Sequence, residues 1–175
     1  EAKSDRLGDA LIPDTGSAVS RPGDLWRLGT PRLLCGHALE ARETKPLLEG
    51  AKAALAITDP PYNVAINGHV GGKGQIQHRA FEMACGEMTE AGFTTFLTTT
   101  FQHLAAHSTD GSIHYVFMDW RHMQEMLTAG HAVYSELKNL CVWNKTNGGM
   151  GAFYRSKHEL VFVWKSGTAP HLNNF

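Results

Sequence analysis

The sequence predicts an α/β fold in which helices pack on a layered sheet. Two patterns and a length point there. Apolar runs of strand length stand at residues 53–58, 113–118, 137–143 and 160–164, and between the first three lie apolar residues at helical spacing. Strand, helix, strand, helix, strand is the rhythm of a layered α/β sheet. A chain of 175 residues, 42% hydrophobic and 19% charged, is long enough for one domain with a real core.

Residues 1–23 scatter Pro13, Pro22, Gly8, Gly16 and Gly23 among Ser, Asp and Thr, so they read as a linker with little fixed structure before Asp24. Residues 25–28 and 32–35 read as two short strands turning at Gly29-Thr30-Pro31. A weak helix is expected over 44–49, with Pro46 acceptable only in its first turn. The run 53–58 lacks alternation, which suits a central parallel strand covered on both faces, and residues 64–88 read as a glycine-bearing loop. From Thr89, which reads as an N-cap, Phe93, Phe96, Leu97, Phe101 and Leu104 share one helical face, with Glu90 in the favourable first turn. Residues 108–111 read as a turn before the β-rich run 113–118. Trp120, Met123, Met126 and Leu127 mark another helix closed by Gly130, with Met123 and Met126 in the core. A strand over 137–143, a glycine-rich loop over 146–151 and a last strand over 160–164 complete the series.

Composition narrows the function classes. Sixteen Lys+Arg against seventeen Asp+Glu leave a net charge of −1, so total charge lends no support to nucleic-acid binding and any basic face is local. Three widely spaced cysteines form no C-x-x-C pair, and Cys35 and Cys141, in apolar runs, read as small buried residues. The ten histidines show no metal-ligand spacing, and His158-Glu159 lacks an H-E-x-x-H continuation, so no metal is expected. No apolar run approaches the ~18 residues a membrane span needs, and no signal-peptide pattern opens the sequence, so a cytoplasmic setting is expected.

The segment that carries chemistry is Ala56-Ile57-Thr58-Asp59-Pro60-Pro61-Tyr62-Asn63. Each proline fixes φ near −65°, lacks an N–H and keeps the residue before it extended. Asp59 and Pro60 are therefore held stiffly at the carboxyl end of a strand, the edge at which open α/β sheets bind ligands. The corner offers the Asp59 carboxylate and backbone carbonyls as acceptors, with Tyr62 as a flat face beside them. An exocyclic amine on a planar heterocycle suits it. Two acceptors take the two N–H bonds and localise the nitrogen lone pair, and stacking on Tyr62 adds roughly 1–3 kcal/mol. The plain alternative is a stiff turn after a strand.

The segment 58–63 resembles the catalytic motif of DNA methyltransferases that modify adenine N6 or cytosine N4, and its Asp-initial form leans toward adenine. The likeness continues in Arg32-Leu33-Leu34-Cys35-Gly36, Met118-Asp119-Trp120-Arg121-His122 and Asn139-Leu140-Cys141-Val142-Trp143. It runs on from Lys145 through Gly149-Met150-Gly151, Tyr154-Arg155 and His158-Glu159 to Lys165. It spans roughly residues 21–175 and is similar to a bacterial and phage branch that often carries a ParB-like domain in front. The resemblance implies a partial Rossmann-like sheet dependent on S-adenosylmethionine, with helices on both faces. It implies DNA as partner, a base flipped out at a cost of a few kcal/mol, and room for a homodimer or an upstream ParB-like domain. Asp59, Pro60, Pro61 and Tyr62 would be catalytic. Asn63, Trp143, Lys145, Tyr154 and Arg155 would contact the substrate, although each also reads as a capping, packing or surface residue.

Two departures qualify it. Gly36 is followed by His37 where the family usually has Asp, so His37, with Asp59, is the nearest match to a cofactor-site residue. The glycine-rich strand-to-helix turn that holds the cofactor is missing: neither the glycines of 68–74 nor those of 148–151 have nucleotide-loop spacing. The expectation is thus a linker over 1–23 and a partial methyltransferase domain over 24–175, without cofactor motif or target-recognition region. A piece of this kind binds S-adenosylmethionine poorly by itself. The competing readings are an inactive DNA- or partner-binding remnant and, remotely, a protein-glutamine methyltransferase with a similar corner.

Overall fold

The computed structural model describes residues 19–64, 83–146, 153–154 and 156–172. The chain divides into two units, 1–47 and 48–175. In the first, Arg21-Pro22-Gly23-Asp24 forms a closed turn, with the Asp24 amide donating to the Arg21 carbonyl at 3.0 Å. Proline presets the second position, and Gly23, at φ 95°, supplies the positive φ the third requires. Structure thus begins before Asp24, because this dipeptide is turn chemistry rather than linker. Strands β1 (Leu25–Arg27) and β2 (Arg32–Leu34) pair as the expected hairpin, in register Leu25↔Leu34. Helix α1 (Ala41–Leu48) starts earlier than expected and places Pro46 beyond the first turn, so the Arg42 carbonyl loses its helical donor. None of its residues is buried.

The second unit holds a mixed sheet of β3 (Ala53–Thr58), β4 (Ser108–Met118), β5 (Glu136–Asn144) and β6 (His158–Ser166), in spatial order β3-β4-β6-β5. β3 and β4 are parallel, joined by helix α2 (Glu90–Ala106); β6 runs antiparallel between β4 and β5. The α/β class read from the sequence holds. Thr89 caps α2 as expected, its Oγ1 accepting from the Gly92 amide at 3.1 Å.

Alternate residues of β4 and β6 face the helices. Val116, Met118, Leu160, Phe162 and Trp164 form one core with Phe93, Leu97 and Phe101 of α2 and Met126 and Ala129 of α3 (Met123–Val133). Burying each such aliphatic or Phe side chain stabilises the fold by about 1.5–3 kcal/mol. Gly130 does not close α3 but lies inside it, where a Cβ would overlap the Trp164 indole. The expected helix from Trp120 opens instead as a 3-10 turn (Trp120–His122) capped by Asp119, and Met123 is 41% exposed rather than core.

The opposite face carries Leu55, Ile57, Ile113, Tyr115, Phe117, Val161 and Val163, and among the described residues no helix of this unit covers it. Among the described residues β3 is an edge strand, not a central one: Leu55 is 51% and Ile57 68% exposed. Cys141 is exposed on β5 and Cys35 half-buried, because a strand at the rim of a sheet shields its apolar residues on one side at most. Residues 108–111 belong to β4. The β3–β4 register shifts between Ala53 and Leu55, and Gly111 at φ 85° takes up the irregularity where the backbone of residues 169–170 leaves no room for a Cβ. Among the described residues no helix is long and apolar enough to cross a membrane, and no cluster of His, Cys, Asp or Glu is placed to hold a metal ion.

Candidate active site

The carboxyl end of β3 delivers Asp59 to the sheet rim, exposed, while Pro60 behind it is buried. The chain then turns back, and the Tyr62 hydroxyl donates to Asp59 Oδ1 at 2.5 Å. Burial pushes the Tyr62 phenol well above the ordinary tyrosine range, and the carboxylates of Asp59 and Glu159 push it further. Tyr62 is therefore held as a donor with a fixed ring, and Asp59 as an acceptor open to solvent.

Asn63 fixes the turn. It sits at φ 52°, a left-handed conformation that asparagine tolerates. Its Oδ1 accepts from the amides of Gly86 and Met88, each at 3.1 Å, and its Nδ2 donates to the Met88 carbonyl at 2.9 Å. His122 Nε2 meets the Asn63 carbonyl at 3.2 Å, while Nδ1 meets Glu125 at 2.7 Å and the ring packs edge-on to Phe93. The corner is thus clamped to the lead-in of α2 and the start of α3. Asn63 is 7% exposed with its side-chain amide fully used, so the expected substrate contact through that side chain is corrected to a structural clamp.

The other expected contacts divide. Lys145 Nζ bonds Glu159 Oε1 at 2.5 Å, and its backbone amide donates to the Lys157 carbonyl at 2.7 Å, closing the β5–β6 end. A charge already paired with Glu159 is a poor phosphate clamp, so that expectation for Lys145 gives way to a strand-end pin. Trp143 lies directly across the ladder from Glu159, 56% exposed, with its ring edge-on to Phe117 at 6.0 Å. Tyr154 is 81% exposed, and its ring partner is the equally open Phe153. Arg155 lies outside the described residues, as do the two glycine-rich stretches.

Glu159 is the residue that sequence reasoning missed. The sequence sets it in an incomplete zinc motif and in the stretch that carries the resemblance, with no role of its own. The usable signal was its place in a β-rich run, where it is an acidic residue among Leu160, Val161 and Phe162.

In the first unit, His37 is exposed. Its amide donates to the Glu43 carboxylate, and its Nδ1 accepts from the Leu39 amide at 3.3 Å. Its amide and Nδ1 are taken up by its own loop, and Nε2 is the ring atom left for the expected role beside a cofactor. What the corner presents is an exposed carboxylate with an aromatic ring hydrogen-bonded to it.

No family model matches this sequence, and no curated protein matches it. Among solved structures, the chain is similar to M1.HpyAVI at 14% identity and a TM-score of 0.47, over 80% of this chain and 62% of that one. It is also similar to an M1.HpyAVI-SAM complex at 14% identity and a TM-score of 0.44, over 77% and 59% respectively. The chain spans about three fifths of the length of these structures.

Proposed function

We propose that this chain carries the amine-binding half of a DNA amino-methyltransferase site, with adenine N6 as the preferred target. The observation that carries the reading is the exposed Asp59 carboxylate at the end of a parallel strand, with the Tyr62 ring held beside it by a 2.5 Å hydrogen bond. Asp59 and the Pro60 carbonyl accept the two N–H bonds of the target amine, and Tyr62 stacks on the flipped base. Accepting both protons localises the nitrogen lone pair and makes it nucleophilic. S-adenosylmethionine, when bound, supplies the methyl group. No glycine stretch of the sequence has the spacing of a nucleotide-binding turn that would hold it.

In the intact protein, Asp59→Ala is expected to abolish methyl transfer to DNA while leaving the protein folded, with a melting temperature lowered by about 2–6 °C through loss of the bond from Tyr62. Near-normal methylation of DNA by that variant would falsify the assignment. A second reading, an inactive DNA- or partner-binding remnant, is favoured by the internal bonding of His37. Calorimetry with S-adenosylmethionine on this chain and on a longer one separates the two: heat of binding from the longer chain supports the enzyme, and none from either supports the remnant.

A further inference from the structure

The His122 ring stands between two acceptors. Its Nε2 meets the Asn63 carbonyl at 3.2 Å, and its Nδ1 meets Glu125 Oε1 at 2.7 Å. A carbonyl only accepts, and so does an ionised carboxylate, so each contact is a hydrogen bond only where the ring nitrogen carries a proton. A neutral imidazole has one such proton and makes one of the two bonds. Both form only on a ring with two. Among the described residues, the other groups at this bridge are engaged elsewhere or carry no charge. Phe93 of α2 packs edge-on to the ring. Arg121 and Asp119, next along the chain, bond each other at 3.0 Å. The Glu87 carboxylate, on the segment that Asn63 grips, accepts from the amides of Ala84 and Cys85.

We propose that His122 is a protonation-dependent positioning residue of this site: with two ring protons it ties the Asn63 carbonyl, one residue past Tyr62, to Glu125 of α3, and with one it releases that carbonyl. The inference rests on the amine-binding reading of Asp59, because the turn it holds is the one that carries Asp59 and Tyr62. The order of release follows from bond strength. The contact with Glu125 is the shorter, its acceptor is charged, and the Glu125 side chain is only 7% exposed, so a single remaining proton stays on Nδ1. Nε2 then turns a lone pair toward the Asn63 carbonyl, and two acceptors face each other. The N–H bond on Nε2 is the one that breaks, and its proton passes to solvent, to which the His122 side chain is 16% exposed. A pin with no such dependence would hold the turn alike at every pH.

The test is methyl transfer to DNA by the intact protein and two variants from about pH 5 to about pH 9, a span wide enough for a histidine to change charge. Glu125→Gln replaces the carboxylate with a carboxamide that donates to Nδ1, so a ring with one proton keeps it on Nε2 and still holds Asn63. The kcat of this variant relative to the unsubstituted protein is expected to rise about tenfold across the range, the scale of one hydrogen bond to a charged group. His122→Ala lacks the bridge throughout. Its kcat should lie about tenfold below that of the unsubstituted protein at the acid end and converge on it at the alkaline end, with KM changed less than about twofold. A ratio that stays constant with pH for either variant overturns the proposal. Asp59→Ala in the same series keeps the two ideas apart. Activity retained there removes the amine reading itself, whereas its loss beside constant ratios removes only the role of His122. Should the variants fail to fold, nitrogen NMR of the unsubstituted protein follows the His122 ring and the Val64 amide over the same range. Loss of the second ring proton with a shift of that amide at the same midpoint supports the bridge. A ring with one proton throughout, or a Val64 amide indifferent to its titration, overturns it.

Discussion

Asn63→Ala separates two roles for one residue. The side chain makes three hydrogen bonds, to the amides of Gly86 and Met88 and to the Met88 carbonyl. At about 1 kcal/mol each, their loss costs about 3 kcal/mol. Alanine must also hold a φ of 52°, and a Cβ without a local hydrogen-bonding group makes that conformation about 1 kcal/mol less favourable than it is for asparagine. The sum is about 3–4 kcal/mol, or roughly 6–16 °C of melting temperature in a chain of this size. Urea denaturation followed by far-ultraviolet circular dichroism and tryptophan fluorescence reads it directly. A clamp predicts a lowered midpoint with an unchanged slope. A residue whose work was to touch substrate would leave the midpoint in place and lose activity alone. A shift below about 1 kcal/mol would refute the clamp and return Asn63 to the substrate side.

Three further outcomes follow from the fold. Gly130→Ala forces a methyl into the Trp164 indole in a fully buried core, so a loss of about 1–3 kcal/mol is expected in the same denaturation assay, and a neutral result would mean the helix and indole do not meet. His114 is fully buried between Ser112 and Tyr134, and burial lowers its pKa from 6.5 to about 4. The unfolded chain therefore takes up a proton below pH 6.5 that the folded chain refuses until about pH 4. Stability should fall as pH drops through that window, by about 2 kcal/mol between pH 7.5 and 5, and His114→Gln should flatten the slope. Finally, the exposed Leu55 and Ile57 on β3 are expected to drive self-association, which Leu55→Lys with Ile57→Lys should suppress; light scattering at equal concentration checks both, and equal scattering from the two proteins would refute it.

What was legible in the sequence had a local cause. Thr89 and the stripe from Phe93 to Leu104 define α2 because capping and period act within a few residues. Asp59-Pro60-Pro61-Tyr62 declared itself because prolines constrain their own backbone. What was not legible depended on distant partners. Gly130 has the composition of a helix stop, yet it is required inside α3 by an indole on another strand. Lys145 has the composition of a free cation, yet Glu159 claims it. The run 53–58 is apolar enough for an interior strand, but its edge position follows from sheet order, which no short window contains. Asn63 is the instructive case: its neighbours mark it as part of a site, and only the approach of residues 86–88 shows that it holds the site's shape.

The place of β6 between β4 and β5 has a consequence for biosynthesis. The Asp59–Tyr62 corner leaves the ribosome well before Glu159 and the core indole of Trp164. Until that last antiparallel strand slots in, β4 and β5 have no common neighbour and the nascent chain displays two unpaired β edges. Assembly of the site is thus coupled to the slowest kind of contact, one that closes a long stretch of chain. A nascent polypeptide paused upstream of residue 158 should be a client for chaperones rather than a half-built catalyst.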